Sequence, residues 1–291
     1  MDIGVLTARE ADYHPNRRLK EAALAKGLSL ALIDPRRVSP VIEAGRSGMK
    51  GMEDGLLPGV ILPRQGAQIS ESSMVVLSHL QAMGIPVVNG PASIFAARNK
   101  FLTLQILAAS GIKVPDSAFV NSAAGFFGAA DTLGGFPLVC KKAIGRKGRG
   151  VFLVKEKIQA EDFLEKHLVP AEGLMLQRFI PPAERRDLRI LVVGGRVVGA
   201  MEMVAPEGEF RANFSISGNG RRVDLPGAAE ETAVKSALAM GLEIAGVDVI
   251  DAGESGYFVI EANYAPGFRG LEAATGIDIA AEIIDHSASF L

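Results

Sequence analysis

The sequence predicts an α/β N-terminal domain, then a small α+β unit, then a domain built on an antiparallel sheet. Three observations predict this order. Up to residue 90, short apolar runs alternate with helical stretches, the pattern of an open, mainly parallel sheet. From Val114 the strands come closer together, with helices between them. After Pro181-Pro182, the runs Leu188 to Val193 and Arg196 to Met203 meet across Gly194-Gly195, a hairpin signature. The expected divisions are 1–90, 91–172 and 173–291.

The elements follow in order. Residues 2–6 form a first strand. His14-Pro15-Asn16 opens a helix to Lys26, with Pro15 in its first turn and Gly27 as its stop. Leu28 to Ile33 and Val60 to Leu62 are strands, with a Gly-rich loop over 44–59. A helix from Ser70 to Met83 closes at Gly84, and Ile85 to Val88 is a fourth strand. No G-x-G-x-x-G follows the first strand, so a dinucleotide fold of the usual kind is unsupported. Pro91 to Ser110 is helical in two pieces broken near Asn99, and Lys100 lies inside it. Strands at 118–120, 136–143, 151–154 and 174–177 and helices at 122–133 and 160–167 build the middle unit. A helix from Ala228 to Ala245 has Val234, Leu238, Leu242 and Ala245 as its core face. A final helix covers 276–290.

Composition narrows the function classes. At 48% hydrophobic, 22% charged and a net charge of -2, the chain is a soluble globular protein. It has no global electrostatic case for nucleic acid or an anionic membrane. No apolar run approaches the roughly 20 residues that span a bilayer, and the start at Met1-Asp2-Ile3 is unlike a signal peptide. The one cysteine, Cys140, forms no internal disulfide and suits a reducing cytoplasm, where it reads as buried filler. The four histidines show no ligand spacing.

The densest chemistry lies near the C-terminus. Apolar runs at 246–250 and 257–263 bracket a Gly-bounded turn, so a β-hairpin is expected. With Gly253 to Gly256 as the loop, Ala252 pairs with Tyr257 and Asp248 falls opposite Glu261. Asn263 shares the Glu261 face. Facing carboxylates repel unless a cation lies between them. A hard, oxygen-seeking cation such as magnesium suits Asp248, Glu261 and Asn263. Upstream, Gly145-Arg146-Lys147-Gly148-Arg149-Gly150 carries three glycines and three cations between two strands. Such a flap brings backbone N–H groups close to an anion. Lys141 and Lys142 are adjacent on a strand, so one faces inward and needs an anionic partner there. Asp187 with Arg189, and Arg211 with Asn213, are further charged or polar pairs. No Ser-His-Asp set or G-x-S-x-G is present.

Further stretches are Leu62-Pro63-Arg64, Ala97-Arg98-Asn99-Lys100, Gln177-Arg178-Phe179-Ile180, Asp187-Leu188-Arg189, Glu207 to Asn213, Ala245 to Asp248, Glu261 to Gly267, Gly270 to Glu272 and Thr275 to Ala280. Together they resemble the RimK-type carboxylate–amine ligases of the ATP-grasp superfamily. The resemblance implies an ATP-grasp fold with a parallel-sheet N-terminal domain, a small central lid and an antiparallel C-terminal domain. It implies ATP with magnesium or manganese, two ions, and an acyl-phosphate route from an acid and an amino-acid amine to an amide.

It also implies residue roles. Lys100 and Lys141 would contact nucleotide phosphates. The backbone of Arg178, Phe179 and Ile180 would meet adenine, with Gln177 beside them in the nucleotide site and Asp187 near the ribose. Arg211 and Asn213 would face the terminal phosphate and the reacting carboxylate and, with Arg189, form the catalytic group; Ala212, between them, would be part of the nucleotide site with Arg211 and Asn213. Asp248, Glu261 and Asn263 would bind the metal. Partners would be a carboxylate substrate (a small molecule or a protein C-terminus) and an amino-acid amine, with no nucleic acid or membrane; self-association into a homo-oligomer is compatible with the sequence. Two other readings are a nucleotide-binding regulator and a ligase of small molecules. Three departures stand out. The family's arginine pair is Met203-Val204 here, its basic Asn-Leu-His-Arg-Gly-Gly run is Asn213 to Gly218, and an acidic hinge residue is Arg178.

Overall fold

A computed structural model describes residues 1–52, 55–66, 69–144, 150–205, 209–210 and 220–291. The first sheet is parallel. Strands β1 (Ile3–Leu6), β2 (Leu30–Ile33) and β5 (Val60–Pro63) run in the order β2-β1-β5, with Ile3 beside both Leu30 and Val60. Helix α1 (His14–Ala25) connects β1 to β2, and α2 (Glu71–Ala82) follows β5. Ser70 caps α2 by accepting from the Ser73 N–H at 3.2 Å, satisfying one of the free donors of a helix start.

Two expectations for this region are corrected. Residues 85–88 are not a strand. Only the bridge Ile61–Val87 forms, because Pro86 between two potential rungs has no N–H to donate. Within the expected loop 44–59 lies half of a hairpin, β3 (Ser39–Glu43) with β4 (Arg46–Lys50). Its turn places Ala44 and Gly45 at φ of 49° and 75°, a pair with no Asn or Asp to announce it.

Helices α3 (Pro91–Ala97) and α4 (Lys100–Ala109) break at Asn99, as expected. The Asn99 side chain caps α4 by accepting from the N–H groups of Phe101 and Leu102. The middle sheet holds β6 (Ser117–Val120), β7 (Leu138–Lys142), β8 (Val151–Val154) and β9 (Leu174–Arg178), in the antiparallel order β6-β9-β7-β8. Strand β9 lies past residue 172 and still pairs inside this sheet. Helices α5 (Ala123–Thr132) and α6 (Lys157–His167) cover one face, around Phe126, Leu138, Cys140, Phe163 and Leu176. Burial pushes the Cys140 thiol up to about 12, as expected of an inert filler.

The last sheet is antiparallel: β10 (Arg186–Val193), β11 (Arg196–Met203), β12 (Gly220–Arg222), β13 (Ile244–Asp251) and β14 (Tyr257–Asn263), in the order β12-β11-β10-β13-β14. Helix α7 (Gly227–Ala239) stops well before Ala245, which belongs to β13. Gly241, at φ 62°, reverses the chain between helix and strand. The expected core face is also corrected. Ala229, Ala233, Ser236 and Ala237 are buried, whereas Leu238 is 64% exposed. Small residues let the helix lie close to the sheet, and period alone did not reveal that. The C-terminal stretch is two helices, α8 (Arg269–Thr275) and α9 (Ile279–Ala288), separated by Gly276 at φ 73°.

The two faces of the last sheet differ. Leu188, Ile190, Val192, Val247 and Val249 pack into one core with Ala233 and Ala237. On the other face, Leu191 and Val193 are covered by Phe268, Leu271, Ile283 and Ile284. By strand alternation Asp187 and Arg189 share that second face, further along β10. Asn89 joins the first and last sheets: its amide donates to the carbonyls of Ile244 (2.8 Å) and Tyr264 (2.7 Å) and accepts from the Ile244 N–H (3.0 Å). No helix among the described residues is long and apolar enough to cross a membrane.

Candidate active site

The β13–β14 hairpin sets the site. Asp248 lies opposite Glu261 and Gly246 opposite Asn263, as expected. The loop-proximal register is corrected: Asp251, not Ala252, pairs with Tyr257. A bulge between Asp248 and Val249 takes up the extra residue, and the loop holds a 3₁₀ turn at Gly253–Ser255. The bulge leaves Asp248, Glu261 and Asn263 on one face. Directly opposed side chains have Cβ atoms about 5 Å apart.

Each carboxylate already has a cation. Arg189 grips Asp248 with two parallel bonds, Nε to Oδ1 at 2.8 Å and Nη2 to Oδ2 at 2.7 Å. Strand register explains the meeting, because Arg189 is the cross-strand partner of Asp248. Lys100 Nζ donates to Glu261 Oε1 at 3.0 Å. Lys100 opens α4, and its backbone N–H bonds the Ala143 carbonyl at 2.9 Å, tying that helix to the end of β7. Burial favours the neutral acid at Glu261, but Lys100, Arg189 and Lys141 outweigh it and hold the carboxyl below its usual range. Burial likewise opposes the charge of Arg189, and Asp248 more than restores it.

Lys141 is the lysine that faces inward, at 8% exposure. Its side-chain hydrogen-bond partner is neutral, the Gln177 Oε1 at 2.7 Å, and Gln177 in turn donates to Ser117 Oγ at 3.1 Å. Burial, then the charge of Lys100, lowers the ammonium to about 8. Lys100, Lys141 and Arg189 face Asp248 and Glu261, which leaves the cluster one positive charge in excess. That excess suits an anionic ligand.

The remaining expected residues are less uniform. Arg178 is exposed and pairs with Asp116 at 3.1 Å, while its N–H bonds the Asp116 carbonyl. The Phe179 ring meets Phe210 edge-on, with centroids 6.2 Å apart. Arg185, which no motif announced, ties this region together. It donates to the carbonyls of Ile180 and Phe210 and to Asp187 Oδ2 at 3.2 Å. Burial raises Asp187 even so. Arg211, Ala212, Asn213 and residues 145–149 of the expected flap at 145–150 lie outside the described residues.

Do the residues fit a divalent cation? Among the described residues no three His, Cys, Asp or Glu side chains are placed to hold a metal ion by themselves. Here the set is two carboxylates and the Asn263 amide oxygen, all hard oxygen donors on one face. A carboxylate pair accepts more bonds than Arg189 and Lys100 use. The set fits magnesium with substrate phosphates completing the shell.

Comparison with known proteins agrees with this geometry. The RimK PreATP-grasp domain family matches residues 1–94 and the RimK-like ATP-grasp domain family matches 97–287. The chain is 38% identical over 288 residues to a "Probable alpha-L-glutamate ligase" of Syntrophotalea carbinolica, covering 98% of this chain and 94% of that one. It is 36% identical over 288 residues to the protein of the same name in Thioalkalivibrio sulfidiphilus, with the same coverage. In fold it is similar to the RimK domain ATP-grasp protein of Sphaerobacter thermophilus (TM-score 0.78, 22% identity, 99% of each chain). It also resembles the ATP-grasp ligase PsnB solved with a minimal precursor, Mg and ADP (TM-score 0.74, 20% identity, 99% and 96% of the chains). The chain belongs to the RimK-like ATP-grasp family, the ATP-dependent carboxylate–amine ligases.

Proposed function

We propose that this chain activates a substrate carboxylate with ATP and joins it to the amine of an amino acid. The carboxylate oxygen attacks the γ-phosphorus and the bond to ADP breaks. The amine nitrogen then attacks the acyl carbon; phosphate leaves with the C–O electron pair and the amine gives up a proton. The carrying observation is the opposed pair Asp248 and Glu261, each neutralised by a basic residue, beside the buried Lys141. Positioning and charge neutralisation suffice for such chemistry, so no protein nucleophile is needed.

Asp248, Glu261 and Asn263 would hold two magnesium or manganese ions, which supply neutralising charge to phosphate oxygens when bound. Lys100 and Lys141 bind the phosphates, and Gln177 aims Lys141. Arg189 acts through Asp248 as a positioning residue. The backbone from Arg178 to Ile180 takes adenine and Asp187 the ribose. Arg211, Ala212 and Asn213 complete the terminal phosphate site. A reducing cytoplasm suits the buried thiol of Cys140.

The name of the relatives makes L-glutamate the first amine to try. Met203 and Val204 stand where the resemblance expects an arginine pair, and Met203 is buried in the core behind Phe268 and Leu271. We propose a less acidic amino acid as the preferred amine. ADP release from ATP and magnesium with paired acid and amine pools, followed by product mass, tests this. An amide product formed fastest with a neutral amino acid is expected. ADP release with no pair at all contradicts the ligase reading, and a clear preference for glutamate contradicts the amine assignment.

A further inference from the structure

The parallel sheet ends at a second basic group that the chemistry above does not use. In the order β2-β1-β5, continued by the Ile61–Val87 bridge, the chain moves from β1 to one side for β2 and to the other for β5. Open α/β sheets bind ligands beyond the carboxyl ends of their strands at such a reversal. Arg64 is the first residue after β5. His14, the first residue of α1, comes to the same place. The Phe268 ring lies 5.7 Å from the His14 ring and 5.6 Å from the Arg64 guanidinium carbon.

Arg64 is 7% exposed, yet only Nη2 has a partner, the Pro266 carbonyl at 2.6 Å. Its Nε and Nη1 are buried with no hydrogen-bond partner among the described residues, as are Gln65 Oε1 and Arg98 Nη1, the Arg98 Nη2 being paired with Glu71 at 2.7 Å. Arg98 and Arg64 share a neighbour, because the charges of both reach the Tyr264 hydroxyl, which donates to the Gly66 carbonyl. Burial pulls Arg64 down to about 10, and its favourable electrostatic neighbours are the hydroxyls of Tyr13 and Tyr264. A buried cation with unmade donors is costly, and such a group in a native fold calls for an occupant.

We propose that this end of the sheet holds a carboxylate subsite: Arg64, assisted by Arg98, takes the carboxylate of a ligase substrate, an inference that rests on the ligase reading for the substrate's class. A planar guanidinium matches a carboxylate edge. The nucleotide phosphates already have Lys100 and Lys141. The subsite also adjoins the metal hairpin. Pro266, the anchor of Arg64, packs so closely on Gly246 that a Cβ there would meet the Pro266 Cβ at 2.6 Å, and Gly246 pairs with Asn263. A substrate gripped here by one carboxylate can present another group to the cleft.

The test uses the full chain and calorimetric titration with L-glutamate, succinate, N-acetyl-L-alanine and inorganic phosphate, plus ATP as a control. At least one carboxylate should bind saturably. Arg64→Met should weaken it about 10- to 100-fold, the range for hydrogen bonds to a charged group. The same variant should keep the ATP affinity, and the free protein should melt no lower than the native chain, because an uncompensated charge is gone. Arg98→Gln should weaken carboxylate binding about 3- to 10-fold, and it carries the test if Arg64→Met fails to fold. Loss of ATP binding by the native chain with the Arg64-dependent titration intact would sink the ligase reading and leave the subsite standing. The subsite is overturned if no carboxylate binds the native chain, if phosphate alone binds, or if both variants bind carboxylate as the native chain does.

Discussion

Two basic clusters flank the start of the loop after β14, and they are built differently. Around the β13–β14 hairpin, Asp248 has Arg189 and Glu261 has Lys100. At the end of β5, Arg64 is buried with no carboxylate beside it. In the first cluster each carboxylate already holds a cation, and only Lys141 is left over, so part of the pairing must be exchanged to take a ligand. In the second, Arg64 Nε and Nη1 and Arg98 Nη1 are left unmade, although Arg98 Nη2 pairs with Glu71 at 2.7 Å. Pairing makes a site stable to wait in, whereas unpaired charge stores a demand for an anion.

The largest effect should come from breaking the paired cluster. Asp248→Ala should abolish ATP turnover and also cost about 3 kcal/mol of stability, because it leaves Arg189 buried without its carboxylate; chemical denaturation beside an ADP assay checks both. Asp248→Asn keeps the shape and should separate the two losses. Next comes Lys141→Met. It should weaken ATP binding about 10- to 100-fold, as expected for a charged hydrogen bond, in nucleotide titrations.

Acidity offers a gentler probe of the same lysine. Burial lowers the Lys141 ammonium from the 10.5 of a free lysine to about 8 in the folded chain. Between those values the unfolded chain binds the extra proton, so this group makes stability rise from about pH 8 to about pH 10.5 and contributes no slope below pH 8. Native minus Lys141→Met stability, followed across that window, should show the rise. ATP affinity should fall over the same range as the ammonium is lost. The smallest effect is expected at α7. Leu238→Lys should change stability by no more than about 0.5 kcal/mol, as at other exposed positions. Ala237→Lys, on the buried face, should prevent stable folding.

How much of this was legible beforehand depends on range. The helix starts at His14 and Ser70 and the break at Asn99 were readable, because caps and prolines act within a few residues. The opposition of Asp248 and Glu261 was readable for a partly wrong reason, since the bulge offset a one-residue error at the turn. The α7 core face was misread. Leu238 has the right spacing, but the packing uses the alanines beside it. Arg185 and the unmet donors of Arg64 were invisible in the sequence, because each depends on carbonyls far along the chain, Phe210 and Pro266 among them.

Magnesium titration of ATP affinity is the most direct measurement of the central claim. In the native chain, added magnesium should tighten ATP binding, and in a folded Asp248→Asn, Glu261→Gln double variant it should have no effect. Equal tightening in both proteins would contradict a metal held between those two strands.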